Sequence, residues 1–335
     1  MAIPLVSVLL PARDAGATLA ASLRSIRRQR FTDWECIVVD DGSRDDTLAR
    51  ARELAAADAR FVIVATPPRG VVAALNTGLA SCRGELVARM DADDLMHRDR
   101  LAAQVQALAA APALWGVGTH VRIFPRAQLG AGWRAYERWL NGIDSAARVR
   151  AEAFVECPVV HPTLMLRRTA LADLGYRDVG WPEDYDLVLR ALARGLEIGV
   201  VPRRLLAWRD GARRLSRTGE AYALPRFAEI KAAFLAEQFL AATEGYVLWG
   251  YGGTGRALRR ALQAHGKRVT HVIEVHPGRL GNTIHGALVV PPDVLPSLAP
   301  LPVVVSVARP GPRARIRAAL AEMGFRETRD FVCAS

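Results

Sequence analysis

The 335-residue chain has only four cysteines, Cys36, Cys82, Cys157 and Cys333, and no two of them form a Cys-x-x-Cys pair. This spacing argues against a structural zinc cluster, a redox pair or a disulfide framework, and a reduced cytosol is the compartment that fits. No run of about 18 apolar residues occurs, so no membrane-spanning helix is expected and any membrane contact is peripheral. The first ten residues lack a basic start and a cleavage site, and their apolar run ends at Pro11, too early for a signal peptide. Internal repeats and low-complexity tracts are missing too, apart from an alanine bias. What is present is 51% hydrophobic and 24% charged, which allows sizeable cores and excludes a disordered or collagenous chain. The length exceeds that of one ordinary domain, so two are expected. The net charge of +11 points to an anionic partner, whether nucleic acid, a membrane surface or a phosphorylated ligand.

Short β-rich runs at 6–10, 35–39, 61–65 and 86–90 alternate with helical patterns near 17–28, 46–58 and 70–81. Strands alternating with helices of that length predict right-handed βαβ units and a mainly parallel sheet. A helix is expected over 97–110, and an Arg-rich helical stretch over 133–156 carries Trp133, Tyr136 and Trp139. Those aromatics read as a helix packed on the sheet, with an acceptor platform as the alternative. After a helix near 222–241, a second alternation begins at Gly245. It comprises a strand, a glycine-rich turn, a helix to about 264, strands near 269–273 and 302–307, and a helix near 312–323. The predicted domains are therefore 1–243 and 244–335.

Three acidic clusters carry chemistry. Asp40 and Asp41 end a buried strand, where open α/β sheets bind ligands; Ser43 or Asp45 capping the next helix is the plainer role for the cluster. Asp91 and Asp93, with Asp94, follow another apolar strand. Their spacing lets two carboxylates approach one hard divalent cation, magnesium or manganese, while a cap for the following helix is the alternative. Three acids so close repel unless a cation or an arginine such as Arg89 sits among them. Glu183 and Asp184 crowd the first turn of a helix, as partners of its dipole or as a general base facing a cleft.

Together these segments resemble the family-2 glycosyltransferases of GT-A fold. The resemblance is carried in order by Val-Ser-Val-Leu-Leu-Pro-Ala-Arg-Asp (6–14), Ile-Val-Val-Asp-Asp-Gly-Ser (37–43), Ala-Leu-Asn-Thr-Gly-Leu-Ala (74–80), Arg-Met-Asp-Ala-Asp-Asp (89–94) and Glu-Asp-Tyr-Asp-Leu (183–187). It implies an α/β architecture, a mainly parallel mixed sheet flanked by helices. It implies an inverting, metal-dependent transferase acting on a nucleoside-diphosphate sugar, UDP-linked, with a saccharide, glycolipid or phosphorylated acceptor in cell-envelope synthesis. By the same resemblance, Pro11, Ala12, Arg13, Asp14 and Asp41 form the nucleoside pocket, with Asp41 accepting the uracil imide proton. Asn76 and Arg89 lie near the nucleotide, Asp91 near the ribose and Asp93 on the metal, with Ala92 between them and Glu183 beside the substrate. Asp184 is the catalytic base. Arg217 closes over the diphosphate, and His161 is either structural or an acceptor contact. The family often has Asn where this chain has Asp14. A sugar-nucleotide pyrophosphorylase is the alternative enzyme, but residues 11–16 lack its glycine-rich basic loop. A non-catalytic nucleotide-sugar binding module is the alternative non-enzyme, and intact Asp91, Asp93 and Asp184 argue against it.

In the second domain, Gly250, Gly252 and Gly255 open a helix and Glu274 follows 19 residues later. The spacing resembles a dinucleotide fingerprint, so the domain is expected to be Rossmann-like, with NAD or a nucleotide as ligand or with the glycines merely forming a turn. Residues 245–335 carry 12 basic and 5 acidic side chains, net +7, against +4 for residues 1–244. No nucleic-acid motif accompanies that charge. The expected partner of the basic segment is instead anionic lipid at the inner membrane face, or a phosphorylated acceptor, with the protein cytoplasmic.

Overall fold

Buried on both faces, the strand Trp34–Asp41 exposes none of its eight residues, the pattern of a central parallel strand covered by helices. It belongs to a computed structural model that describes residues 3–211, 214–298 and 300–335. The chain divides into two compact units. One holds 1–149, 159–179 and 183–214; the other holds 150–158, 180–182 and 215–335.

The first unit contains strands β1 (Val6–Ala12), β2 (Trp34–Asp41), β3 (Phe61–Thr66), β4 (Leu86–Arg89), β5 (Leu95–Met96), β6 (Leu114–Phe124), β7 (Met165–Arg167) and β8 (Glu197–Arg209). They form one sheet in the order β3-β2-β1-β4-β7-β6-β8-β5. The strands from β3 to β4 are mutually parallel, and β7 runs against both β4 and β6. The β1–β4 connections are α1 (Gly16–Arg27), α2 (Thr47–Ala57) and α3 (Val71–Ser81), followed after β5 by α4 (Arg100–Ala110). The register pairs Ala12 with Asp40 and Leu9 with Arg89, so the carboxyl ends of β1, β2 and β4 lie along one rim. The core behind that rim includes Val8, Leu10, Leu23, Ile26, Val38 and Met90, all inaccessible to solvent.

Two expected helices are shorter. Residues 95–96 form β5 against β8, which delays α4 to Arg100. The stretch 133–156 is broken into α5 (Ala131–Leu140) and α6 (Ala146–Glu152). Asn141 ends α5 because its amide pairs with the backbone of Val121 in both directions, at 2.9 Å each. Beyond β7 lie α7 (Arg168–Leu174) and α8 (Glu183–Ala193).

The second unit has strands β9 (Gly245–Trp249), β10 (Arg268–Ile273), β11 (Thr283–Ile284), β12 (Ala287–Val290), β13 (Val303–Val305) and β14 (Phe331–Cys333). Their order is β11-β12-β10-β9-β13-β14, parallel except for β11. The helices are α9 (Leu215–Thr218), α10 (Leu224–Glu237), α11 (Gly253–Ala264) and α12 (Pro310–Glu322). This division differs from a boundary at 243. Helix α10 packs Ala232, Leu235 and Ala236 with Tyr246 of β9 and with Leu258 and Leu262 of α11. Buried Glu152 pairs with Arg317 at 2.8 Å, and Lys231 Nζ donates to Val155 O at 2.7 Å, which ties 150–158 to the same unit.

Candidate active site

Along the rim of the first unit, acids and their partners divide the work unevenly. Asp41 accepts from the backbone N–H of Arg69 (2.7 Å) and Gly70 (2.9 Å), with Arg13 Nη1 at 3.4 Å. Gly70 has φ +90 and directly precedes α3, so Asp41 organises that turn. Its neighbour Asp40 is 2% exposed, takes the Ser43 N–H on Oδ2, and has no hydrogen bond to buried Oδ1. Adjacent strand residues face opposite sides of a sheet, so the two carboxylates point to different sides, and Asp40 keeps one buried oxygen without a hydrogen bond. Asp14 adopts φ +48, a left-handed conformation that Asn and Asp tolerate, and its carboxylate accepts the Arg44 N–H at 2.8 Å. Asp45 accepts from Gly16 N and Thr47 N, both at 2.9 Å, and so anchors the start of α1 and α2.

Past β4, one carboxylate oxygen from each of Asp91, Asp93 and Asp94 can lie within 4.8 Å of the others. Burial and the nearby Asp91 push Asp93 up to about 6, with the Arg214 and Arg209 cations offsetting part of the rise. Asp94 is fully buried, and burial with its two acidic neighbours lifts it well above the usual carboxylate range. Arg209 donates its N–H to Asp94 Oδ1 at 2.7 Å and Nε to Asp93 O at 2.8 Å, leaving Asp94 Oδ2 buried without a hydrogen bond. Arg89, also buried, donates Nη2 to Asp91 at 2.7 Å. Three clustered oxygens and one unsatisfied acceptor make a donor set that suits a hard divalent cation.

The first turn of α8 supplies the other acids. Glu183 is buried, with Oε1 3.9 Å from His161 Nδ1. Asp184 is half-buried and accepts the Tyr185 N–H at 2.7 Å. Asp186, further along, is a structural ion-pair centre held by Arg177 and Arg190 at 2.6 Å each.

Several other residues expected at the site have contacts within the scaffold. Asn76 uses its amide to clamp Tyr176, donating to its carbonyl at 2.9 Å and accepting its N–H at 3.0 Å. His161 is 5% exposed and bonds the Tyr176 hydroxyl at 3.0 Å, in keeping with the structural one of its two expected roles. Arg217 is exposed on α9, in the second unit. Arg214, three residues earlier, is the cation whose charge acts on Asp93, and its guanidinium lies 4.3 Å over Trp208. The aromatics Trp133, Tyr136 and Trp139 pack on the first unit's core.

In the second unit, Gly250 has φ +94, and a Cβ on Gly255 would lie 2.4 Å from Gly250 O. Both glycines are thus required by the turn itself. Glu274 accepts the Val275 N–H at 2.9 Å and pairs with Arg279 at 2.9 Å, so its carboxylate holds its own loop.

The model of glycosyl transferase family 2 matches residues 7–175, about half of the chain. EpsE of Bacillus subtilis (strain 168) is 33% identical over 198 residues, which is 57% of this chain and 68% of EpsE. The chain belongs to glycosyl transferase family 2. Another family relative is WfgD of Escherichia coli, a UDP-Glc:alpha-D-GlcNAc-diphosphoundecaprenol beta-1,3-glucosyltransferase. It is 33% identical over 102 residues, 30% of this chain and 40% of WfgD. Among solved structures, Staphylococcus aureus TarS 1-349 in complex with UDP-GlcNAc superposes with a TM-score of 0.56 at 16% identity, covering 78% of this chain and 72% of TarS 1-349. The mannosyltransferase PcManGT of Pyrobaculum calidifontis, in complex with GDP-Man and Mn2+, gives 0.53 at 24% identity, covering 79% and 70%. The GT-A fold of this family-2 glycosyltransferase is thus the fold of those structures. Sequence reasoning named Asp40 and Asp94 only as members of their acidic clusters and did not single out Tyr176, which no motif marks.

Proposed function

We propose that this enzyme transfers a sugar from a nucleoside-diphosphate sugar, UDP-linked, to an acceptor hydroxyl with inversion, in cell-envelope polysaccharide or glycolipid synthesis. The observation that carries this reading is the presence in one unit of a strand-end carboxylate with an unsatisfied oxygen, a three-acid cluster and a helix start bearing Glu183 and Asp184. Asp40 Oδ1 receives the base's imide N–H, while Asp41 keeps the β3–α3 turn in shape. Asp91, Asp93 and Asp94 would hold manganese or magnesium, which when bound supplies positive charge to the diphosphate leaving group. Arg89 orients Asp91. Asp184 takes the proton from the acceptor hydroxyl as its oxygen bonds to the sugar C1. The bond from C1 to the diphosphate oxygen breaks on the opposite face, and the nucleoside diphosphate leaves with the electron pair. The name of WfgD favours a diphosphoundecaprenol-linked saccharide as acceptor. For the second unit we infer a structural role for the glycine turn, because Glu274 is held by its own loop.

The test is a panel of UDP-, GDP- and dTDP-sugars, scored by thermal shift and nucleotide release with and without manganese. A manganese-dependent response to UDP-sugars supports the reading, and a response to none of the panel overturns it.

A further inference from the structure

Behind Asp184 lies a chain of buried polar groups that no step of the transfer uses. Tyr176 is 5% exposed and its backbone is gripped on both sides by Asn76, 100 residues earlier in the sequence. Its hydroxyl lies 3.0 Å from His161 Nε2, and His161 Nδ1 lies 3.9 Å from Glu183 Oε1. Glu183 directly precedes Asp184 at the start of α8. The charged and titratable groups that act on this imidazole are Arg89, Tyr176 and Glu183. Burial and the Arg89 cation drive His161 well below the usual histidine range, which favours the neutral ring.

A neutral imidazole has one donor and one acceptor. The buried Tyr176 hydroxyl can donate to Nε2 or accept from it, whereas the Glu183 carboxylate can use only a donor. The Nδ1–H tautomer alone satisfies both. At 3.9 Å the second contact is longer than a hydrogen bond, a gap of the kind that closes when a catalytic complex forms.

We infer that Tyr176 and His161 are positioning residues of the transfer step: a Tyr176–His161–Glu183 relay fixes the first turn of α8 and hence the direction in which Asp184 meets the acceptor hydroxyl. The inference rests on Asp184 being the base. The relay also accounts for Asn76, whose clamp sets where the tyrosine hydroxyl starts.

Two measurements on the full chain test it. In the first, histidine ring nitrogens are labelled with 15N and His161 is assigned from its loss in His161→Gln. The expected result is a neutral Nδ1–H tautomer from about pH 5.5 to about 8, with an Nε2 resonance that moves in Tyr176→Phe. An Nε2–H tautomer, or protonation within that range, overturns the relay without any substrate. In the second, manganese-dependent UDP release from UDP-N-acetylglucosamine is followed. Tyr176→Phe is expected to lower kcat about 10-fold with donor KM within about 2-fold, and His161→Leu to lower it at least as much. His161→Gln can accept from Tyr176 and donate to Glu183, and is expected to recover kcat to within about 3-fold of wild type. Unchanged binding of UDP with manganese shows that each variant is folded. Wild-type turnover by Tyr176→Phe, or a raised donor KM at constant kcat, overturns the proposal. The two readings fail differently. A fully active Asp184→Asn removes the base assignment, whereas an inactive Asp184→Asn beside a fully active Tyr176→Phe removes the relay alone.

Discussion

Replacing Asp93 with asparagine is expected to stabilise the cation-free protein while abolishing transfer. Burial and the Asp91 carboxylate move Asp93 from an ordinary 3.8 to about 6. An acid with a raised folded-state pKa binds its proton more tightly when folded. Stability therefore falls as pH rises from about 4 to about 6, and the full cost applies above that window. About two units at about 1.4 kcal/mol each amounts to about 3 kcal/mol at pH 8, as an order of magnitude. Asparagine carries no charge to desolvate and relieves Asp94 as well, so urea unfolding in chelator at about pH 8 should show Asp93→Asn more stable by about 1 to 3 kcal/mol. Near pH 4.5 the difference should shrink to about 1 kcal/mol or less. Manganese acts in the opposite sense: at about 100 times its Kd it stabilises the wild type by about 2.7 kcal/mol and leaves the variant almost unmoved. A variant less stable than wild type in chelator at pH 8 would refute the argument, because the cluster would then be a structural network and not a site strained for a cation.

Asp184→Asn is expected to lower turnover at least about 100-fold with UDP binding intact, since only the general base is lost; near-normal turnover excludes it as the base. Asp40→Asn should leave the melting temperature unchanged and weaken UDP binding about 10-fold by calorimetry, whereas Asp41→Ala should destabilise by roughly 2 to 4 kcal/mol through two lost charge-assisted bonds. The reverse pattern would exchange their roles. Gly255→Ala meets Gly250 O at 2.4 Å, while a Cβ at Gly252 meets nothing within 4 Å. Thermal denaturation should therefore show a loss on the order of 1 to 3 kcal/mol for the first alone, and equal losses would contradict the packing of that turn. The net +7 of residues 245–335 predicts sedimentation with anionic vesicles at low salt that is lost near 0.5 M, about where screening falls well below 10 Å. Failure to bind at low salt removes the lipid partner.

The parts of the fold that were legible in the sequence are those whose signals are local. The run from Cys36 to Val39 is apolar without interruption and ends in two acids, which marks both a buried parallel strand and its ligand-facing end. The glycines at 250 and 255 were legible for the same reason. Strand β8 was not. Pro202, Arg203 and Arg204 interrupt its alternation, and its register against β6 shifts between Thr119 and Val121, so no period-2 pattern survives for a reader to count. The expected single helix over 133–156 failed on one side chain, because Asn141 pairs with a strand 20 residues away, which helical periodicity cannot reveal.

In the site itself, the sequence named most of the acids but not how they divide the work, and the reason is geometric. Asp40 and Asp41 are equivalent by composition and differ only in the face of β2 they occupy. Which face meets the backbone of Arg69 and Gly70 is decided by how the β3–α3 turn folds back, 28 residues later. Asn76 shows the same limit. Its place in the motif drew it toward the nucleotide, yet its two amide groups match the backbone of Tyr176, a partner fixed only once β4 and β7 have paired and brought residue 176 alongside α3. Motif residues whose hydrogen-bonding capacity is already filled by distant backbone hold the scaffold, whereas Asp40 and Asp94 each keep a buried oxygen without a hydrogen bond, and on the proposed function those are the atoms that a ligand would satisfy.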